Sequence, residues 1–333
     1  MKILIAGGAG YLGSVLIPKL LDRGYQIDVV DLFWFGKHLP AQVGIVHKDI
    51  FDLTVEDLKG YEQVVFLAGL SNDPMAEFSP SKNFIFNAAA PAYLAYIAKK
   101  AKVSRYVYAC SCSVYGYTEN ELYDETRPAI SNYPYGISKL QGEQAVMQLQ
   151  DDTFSVISLR KGTICGYSPR MRLDLIINTM FKAAMRDRTI TVNNPSIWRP
   201  ILSIADASSA YIRAIEANQK ISGIFNIASG NYTVGEIGDL VRLAIERQAG
   251  WKINLQIKHI LDYRNYKVNF QKAENILSFH PHDDVNSIVE NLIEHKSKFE
   301  DWDNPLYYNI QAFKSVEDKQ KSASLASTAI ASD

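Results

Sequence analysis

The feature that most constrains this chain lies at its N-terminal end. A short apolar run, Lys2 to Ala6, leads into Gly7-Gly8-Ala9-Gly10-Tyr11-Leu12-Gly13, and a helical stretch from Leu12 to Asp22 follows. The glycines fit two registers, Gly8-x-Gly10-x-x-Gly13 and Gly7-x-x-Gly10-x-x-Gly13. Strand, glycine turn and helix in that order suit a pyrophosphate. One glycine permits the tight turn, one admits phosphate to the backbone, and one lets helix and strand pack closely. The helix start adds N–H donors and a positive dipole end. Gly7, Gly10, Tyr11, Leu12 and Gly13 are therefore the candidate phosphate-binding residues. Asp31 ends the next strand-like run, 18 positions after Gly13. A carboxylate there accepts hydrogen bonds from ribose hydroxyls and repels the extra phosphate of NADP, so the expected cofactor is NAD. Lys37, close in sequence, is the one feature that works against this choice. A plain glycine turn with a surface aspartate is the bland alternative.

Strand-like and helical runs alternate through the first half. The expected strands are Lys2–Ala6, Gln26–Asp31, Gly44–His47, Gln63–Ala68, Tyr106–Ala109 and Ser155–Leu159. Helical stretches, such as Asn87–Lys100 and Tyr135–Leu149, lie between them. This pattern predicts an α/β fold, a Rossmann-type doubly wound parallel sheet. The second half is less regular. Leu175–Met185, Ala207–Ala217 and Val285–Phe299 read as helices, and Thr233 with Glu236 forms a capping box ahead of Ile237–Ile245. The expected division is a dinucleotide-binding domain over 1–165, with segments near 190–215 returning to it, and a smaller C-terminal α/β substrate lobe over 166–313. The Ser/Ala/Lys-rich stretch 314–333 reads as a disordered tail.

Composition closes off several functions. Lys and Arg number 35 against 36 Asp and Glu, a net charge of −1, so no global field draws the chain to nucleic acid or anionic lipid. The three cysteines, Cys110, Cys112 and Cys165, give no disulfide framework, and no His/Cys cluster has metal-ligand spacing. No metal is expected. The first apolar run is too short for a signal peptide or membrane span. The expected setting is the cytoplasm.

Tyr135-Gly136-Ile137-Ser138-Lys139 places a tyrosine and a lysine at i and i+4, on one helix face behind Pro134. Ser111-Cys112-Ser113-Val114-Tyr115-Gly116 follows the strand Tyr106–Ala109, at the sheet edge where open parallel sheets bind ligands. An alcohol that gives up a hydride must also give up its hydroxyl proton. A tyrosine with a pKa near ~10 is a poor base at neutral pH unless positive charge favours the phenolate. Lys139 and an oxidised nicotinamide would supply that charge, and Ser111 would hold the reacting oxygen. Tyr115 and Tyr133 compete for the role, but neither has a lysine four residues on. Cys112 has no histidine near it in sequence to activate it.

With these motifs in order, the sequence resembles the extended short-chain dehydrogenase/reductases of the NAD-dependent epimerase/dehydratase family. The resemblance rests on the glycine loop, Asp31, Asp49-Ile50, Phe66-Leu67-Ala68-Gly69, Ser111 to Gly116, Tyr135 to Lys139, and Trp198-Arg199-Pro200 followed by Asp206. It implies a seven-stranded sheet and a small substrate lobe. It also implies that Asp49 and Ile50 contact adenine, that Leu67, Ala68 and Gly69 line the pyrophosphate and nicotinamide, and that Ser111, Tyr135 and Lys139 form a catalytic triad. Many relatives are dimers, so a homodimer is expected.

The resemblance further implies a nucleoside-diphosphate sugar as substrate. Arg199 and Arg264, the latter in Asp262-Tyr263-Arg264-Asn265-Tyr266, match positions that hold its phosphates. Guanidinium forks suit phosphate oxygens. Arg170 and Arg172 are further candidates, with an ordinary solvated face as their alternative. Trp198 reads as a core or lid residue, Asp206 as structural, and His280 and His282 as surface residues. Cys112 and Ser113 stand where the sugar 4,6-dehydratases carry an Asp–Glu pair, which argues against dehydration. Thr163 lies near an asparagine of the galactose epimerases. The run Ser168 to Asp174 resembles a subgroup of epimerases and sugar-nucleotide 4-dehydrogenases. The leading expectation is an epimerase that oxidises sugar C4 transiently with retained NAD. The alternatives are a 4-dehydrogenase or ketoreductase with net NAD(H) turnover, and a non-catalytic NAD- or RNA-binding relative.

Overall fold

The computed structural model describes residues 1–318 apart from Leu261 and Tyr263. Seven strands form one parallel sheet: β1 Lys2–Ala6, β2 Gln26–Val30, β3 Gly44–Val46, β4 Gln63–Phe66, β5 Arg105–Ser111, β6 Ser155–Lys161 and β7 Gly223–Ile227. Their order across the sheet is β7-β6-β5-β4-β1-β2-β3. The Rossmann-type doubly wound sheet expected from the sequence is therefore the fold.

The sheet is covered on both faces, so its central strands are largely apolar and successive side chains alternate between the two faces. Ile3, Ile5, Val65, Val107 and Ile157 point into one core. Leu4, Ala6, Val64, Phe66, Tyr106, Tyr108 and Val156 point into the other. The order reverses between β1 and β4, which places the open crevice beside the glycine loop.

The C-terminal lobe is built from short sheets. Trp198–Ser203 lies between Thr163–Cys165 and Gly230–Thr233, and Thr189–Asn193 pairs with Asn254–Lys258. The helices Ile176–Asp187, Val234–Ala249 and Val285–Glu294 pack against one another. The capping box of Thr233 and Glu236 is present at the start of the second of these helices. The chain returns to the large sheet over 204–227, a segment that overlaps the one expected near 190–215. The helix Ile204–Glu216 packs on the helix Gly13–Leu21, and β7 extends the sheet. The strands before it are held in the small lobe by their own partners.

Residues 314–318, expected in a disordered tail, continue helical turns that run over 309–318. Phe313 is buried against Leu70 and Met75, and Lys82 pairs with Glu317 at 2.8 Å. One aromatic side chain anchors a segment whose composition reads as polar. The rest of the expected tail, 319–333, lies outside the described residues.

The helix Pro134–Met147, which carries Tyr135 and Lys139, is tied to the sheet by a buried ion pair. Glu143 accepts from Arg160 Nε at 3.1 and 3.0 Å and from Ser158 Oγ at 2.8 Å, and Arg160 also donates to the Tyr115 hydroxyl at 2.8 Å. Arg160 directly precedes the last residue of β6, so the pair sets where the helix sits over the strand ends. Removing one partner would leave an uncompensated buried charge. Glu143→Ala is expected to destabilise the fold by about 3–5 kcal/mol. Guanidinium unfolding at neutral pH measures this, and a loss below about 1 kcal/mol would show that the pair does not hold the helix.

Candidate active site

Two joined hollows open at the carboxyl edge of the sheet, with about 660 and about 1120 Å³ of open space. Gly7, Gly10, Phe35 and Leu67 to Leu70 border both. The smaller is lined by Asp31, Asp49 and Ile50. The larger is lined by Tyr11, Leu12, Gly13, Ser111, Tyr135 and Lys139. Every cofactor and triad candidate from the sequence therefore faces one continuous cleft.

In the smaller hollow the glycine loop is held by Asp31. Its carboxylate accepts from the Ala9 amide at 3.0 Å and from the Phe33 amide at 2.8 Å. Burial raises the Asp31 carboxyl above its usual pKa, and those amides oppose the rise. Gly7 has φ +76°, and a Cβ there would lie 2.4 Å from the Ala68 nitrogen. At Gly10 an added Cβ would meet only the Gly7 carbonyl oxygen, at 3.2 Å, so this residue presents bare backbone to the cleft. Asp49 caps a short turn through the Phe51 amide at 3.0 Å. Lys37 sits over the Phe33 ring, 5.0 Å from its centroid, and lines neither hollow.

In the larger hollow Tyr135 and Ser111 share one wall. Ser111 donates to Ser113 Oγ at 3.0 Å, and Ser113 Oγ lies 3.2 Å from the Tyr266 hydroxyl. Lys139 donates to the Ala109 carbonyl at 2.8 Å. Burial lowers the Lys139 pKa to about 8. Burial and then the charge of Asp73 push the Tyr135 phenol upward, while Arg172 and Ser111 act against them. Cys112 is buried and donates to the Arg160 carbonyl at 3.1 Å, and burial raises its thiol pKa. It packs in the core and is no nucleophile for this cleft.

The four arginines divide differently from the sequence expectation. Arg199 donates to Asp262 at 3.2 Å, and Arg264 binds Asp262 through Nε at 2.8 Å and Asp73 at 2.8 Å. Neither lines a hollow, because carboxylates hold both behind the cleft wall. Arg170 and Arg172, with a solvated face as their alternative, are buried and line the larger hollow. Arg172 forms a two-pronged pair with Asp174 at 2.9 and 3.0 Å and donates to Ser71 at 2.8 Å. Arg170 lies over Phe35, 3.9 Å from the ring centroid, and donates to Asn309 at 2.6 Å. Its Nε is buried without a partner among the described residues. Its pKa is lowered to about 9 by burial and by Arg172. Trp198 lines neither hollow, and Asp206 is structural, accepting from the His282 amide at 3.0 Å and from Ser229 at 2.6 Å.

Sequence reading missed Asp73, Asn87, Lys161 and Asn309, all of which line the larger hollow. Lys161 carried a signal, since it ends a strand at the ligand-binding edge. It pairs in register with Ser111 and donates to the Cys110 carbonyl at 2.7 Å. Burial and then the charge of Lys139 lower its pKa to about 7.

Two lysines with depressed pKa values make stability rise with pH. Below about 7 both states carry the protons, and the folded state bears the full cost of two buried ammonium groups. From there up to the ordinary value of 10.5 the unfolded chain binds more protons, so raising the pH favours the fold. The cofactor-free protein with Lys161→Met should therefore lose part of the rise in its urea midpoint between pH 6.5 and 9.5. An unchanged slope would mean that Lys161 titrates as a solvated group.

Among the described residues no helix is long and apolar enough to cross a membrane, and no cluster of three His, Cys, Asp or Glu could hold a metal. The UDP-glucose 4-epimerase of Corynebacterium glutamicum is 25% identical over 313 residues, covering 87% of this chain and 94% of that protein. Among solved structures, MoeE5 in complex with UDP-glucuronic acid and NAD superposes with a TM-score of 0.79 at 23% identity, covering 90% of this chain and 99% of that one. The UDP-glucose 4-epimerase with UDP-glucose from Thermotoga maritima gives 0.80 at 21% identity, with the same two coverages. A sequence model of the NAD dependent epimerase/dehydratase family matches residues 3–228, and the chain belongs to that family.

Proposed function

We propose that this chain is an enzyme, an NAD-dependent nucleotide-sugar epimerase that works by transient oxidation at sugar C4. One observation carries the reading. A single cleft runs from the glycine loop and Asp31 to Ser111, Tyr135 and Lys139. Relatives that act on or bind UDP-sugars support the substrate class.

The residues present fit NAD. Gly10 offers open backbone where a pyrophosphate would lie, and the unpartnered Nε of Arg170 is a buried donor beside that loop. Asp31 suits ribose hydroxyls. Asp49 and Ile50 would border the adenine, and Leu67, Ala68 and Gly69 the pyrophosphate and nicotinamide. Bound NAD would supply a hydride acceptor and a positive ring.

The chain's own groups would handle the proton. Ser111 holds the C4 oxygen in line, and Tyr135 takes the hydroxyl proton. At neutral pH Lys139 is still mostly protonated, since its pKa is about 8. That charge favours the phenolate, against the burial that raises Tyr135. The 4-keto sugar would then present its other face, and Tyr135 would return the proton.

Epimerisation, unlike net oxidation, requires a cofactor that stays bound. Ser168 donates to the Tyr11 carbonyl at 2.7 Å, and the Tyr11 hydroxyl donates to the Gly166 carbonyl at 2.5 Å. These bonds tie the Arg170 loop to the glycine loop, over the phosphate site. Arg170 therefore serves NAD in this reading, while Arg172, fixed by Asp174, faces the substrate side. Arg199 and Arg264 support the wall from behind.

Arg170→Met should weaken NAD binding by about 10- to 100-fold, the weight of one charge-assisted contact. Calorimetric titration of the apoprotein measures this, and an unchanged affinity would move the phosphate site elsewhere. Tyr135→Phe should keep NAD binding and slow turnover by roughly 10²–10⁴-fold. Lys139→Met should slow it comparably and raise the apparent pKa of the remaining activity. Product stereochemistry and NADH absorbance, followed with a panel of UDP-hexoses, test the function itself. An epimer without net NADH is expected. Near-normal turnover by Tyr135→Phe would overturn the mechanism.

A further inference from the structure

Asp73 begins the short helix Asp73–Phe78, just past the carboxyl end of β4. The turn before it is demanding. Asn72 has φ +79°, a region that L residues rarely adopt, and its side chain caps the helix through the Met75 amide at 3.0 Å. Asp73, so placed, is 6% exposed, yet it lines the larger hollow with Ser111, Tyr135 and Tyr266. Its charge helps push the hydroxyls of Tyr135 and Tyr266 upward, so it acts on the reacting end of the cleft.

The two oxygens of Asp73 are treated differently. Oδ2 accepts from Arg264 at 2.8 Å, across 191 residues of sequence. Arg264 is itself fixed, because its other two nitrogens bind Asp262 at 2.8 and 2.7 Å. Oδ1 is buried with no partner among the described residues. An unsatisfied buried carboxylate oxygen is costly, and one held rigidly on a residue that lines a binding cleft is prepared for a donor.

We propose that Asp73 Oδ1 accepts a hydrogen bond from a sugar hydroxyl other than the reacting one, and so aligns the ring against Ser111 and Tyr135 in one of the two poses that epimerisation requires. Arg264 is then a positioning residue that aims the carboxylate. The assignment rests on the sugar-nucleotide reading of the cleft. It gives that reading a substrate feature, a hydroxyl donor beside the reacting carbon. It also explains why Arg264 is drawn away from a diphosphate.

The test pairs a protein deletion with a substrate deletion. The probes are UDP-glucose, UDP-galactose and their 2-, 3- and 6-deoxy analogues. One deoxy position should lower the wild-type kcat/KM by about 10- to 100-fold. Asp73→Asn should lose a comparable factor on the parent sugar, yet treat that one analogue and its parent alike. NAD affinity of Asp73→Asn should stay within twofold of wild type, which shows that the variant is folded. If Asp73→Asn fails to fold, Arg264→Gln serves instead, because it frees the carboxylate and should erase the same discrimination. An active wild type whose deoxy losses recur undiminished in the variant overturns this assignment alone. A wild type that changes none of the probes and forms no NADH overturns the functional reading, and the assignment with it.

Discussion

The cleft exists because the backbone passes close to itself at one point. Gly7 turns off the end of β1 with a positive φ and lies so near Ala68 that any Cβ would strike its nitrogen at 2.4 Å. That approach draws Leu67 to Gly69, just beyond β4, alongside the glycine loop. These residues then border both hollows. From there the parallel ladder does the rest. β5 and β6 end in register at Ser111 and Lys161, on the same edge. A parallel sheet delivers its strand ends together, so residues far apart in sequence share one wall. A bulkier residue at 7 would part that wall at its seam.

On this frame the charges are sorted by what already pairs them. Beneath the cleft, Glu143 and Arg160 satisfy each other and fix the helix that carries Tyr135. In the wall, Asp174 holds Arg172 and Asp262 holds Arg264. Facing the cleft are Lys139 and Lys161, bonded to backbone carbonyls, and Arg170 with an orphaned Nε. Like charges buried side by side cost stability in the empty protein. Such costs gather where a ligand is to supply the missing partner. The frame is strongly built where it supports the site, and left incomplete where the site receives its ligands.

The sheet and the residues that line its cleft were legible in the sequence because both depend on local spacing. Glycine spacing, the acid at 31 and the i, i+4 pair of Tyr135 and Lys139 are set within single turns or elements. Strand limits were less legible: β6 runs two residues beyond the expected Leu159, and that extension is what brings Lys161 to the edge. The helix expected from Asn87 begins at Ala90 behind a π-helical turn, Ile85–Ala89. There Asn87 donates to Asn83 and the Leu70 carbonyl. No periodicity signals such a turn, because side-chain hydrogen bonds in the core decide it. Helical turns over 309–318 were hidden for a similar reason, since one aromatic anchor does not outweigh a polar composition.

The arginines show where local reasoning ends. From sequence, four guanidiniums look alike, and family position ranked Arg199 and Arg264 first. A guanidinium's role is decided by which acids the fold brings to it. Arg264 meets Asp73 from 191 residues away, and no window of sequence contains that pairing. Arg170 forms no ion pair among the described residues, and its loop is bonded to the glycine loop through Tyr11 and Ser168. The placement gives two kinds of arginine. One kind is neutralised and aims other groups, and the other keeps an unmet donor among the described residues. In the proposed function, such a donor in a loop stitched to the glycine loop would resist release of a bound pyrophosphate. That suits a reaction in which the hydride leaves the sugar and returns to it.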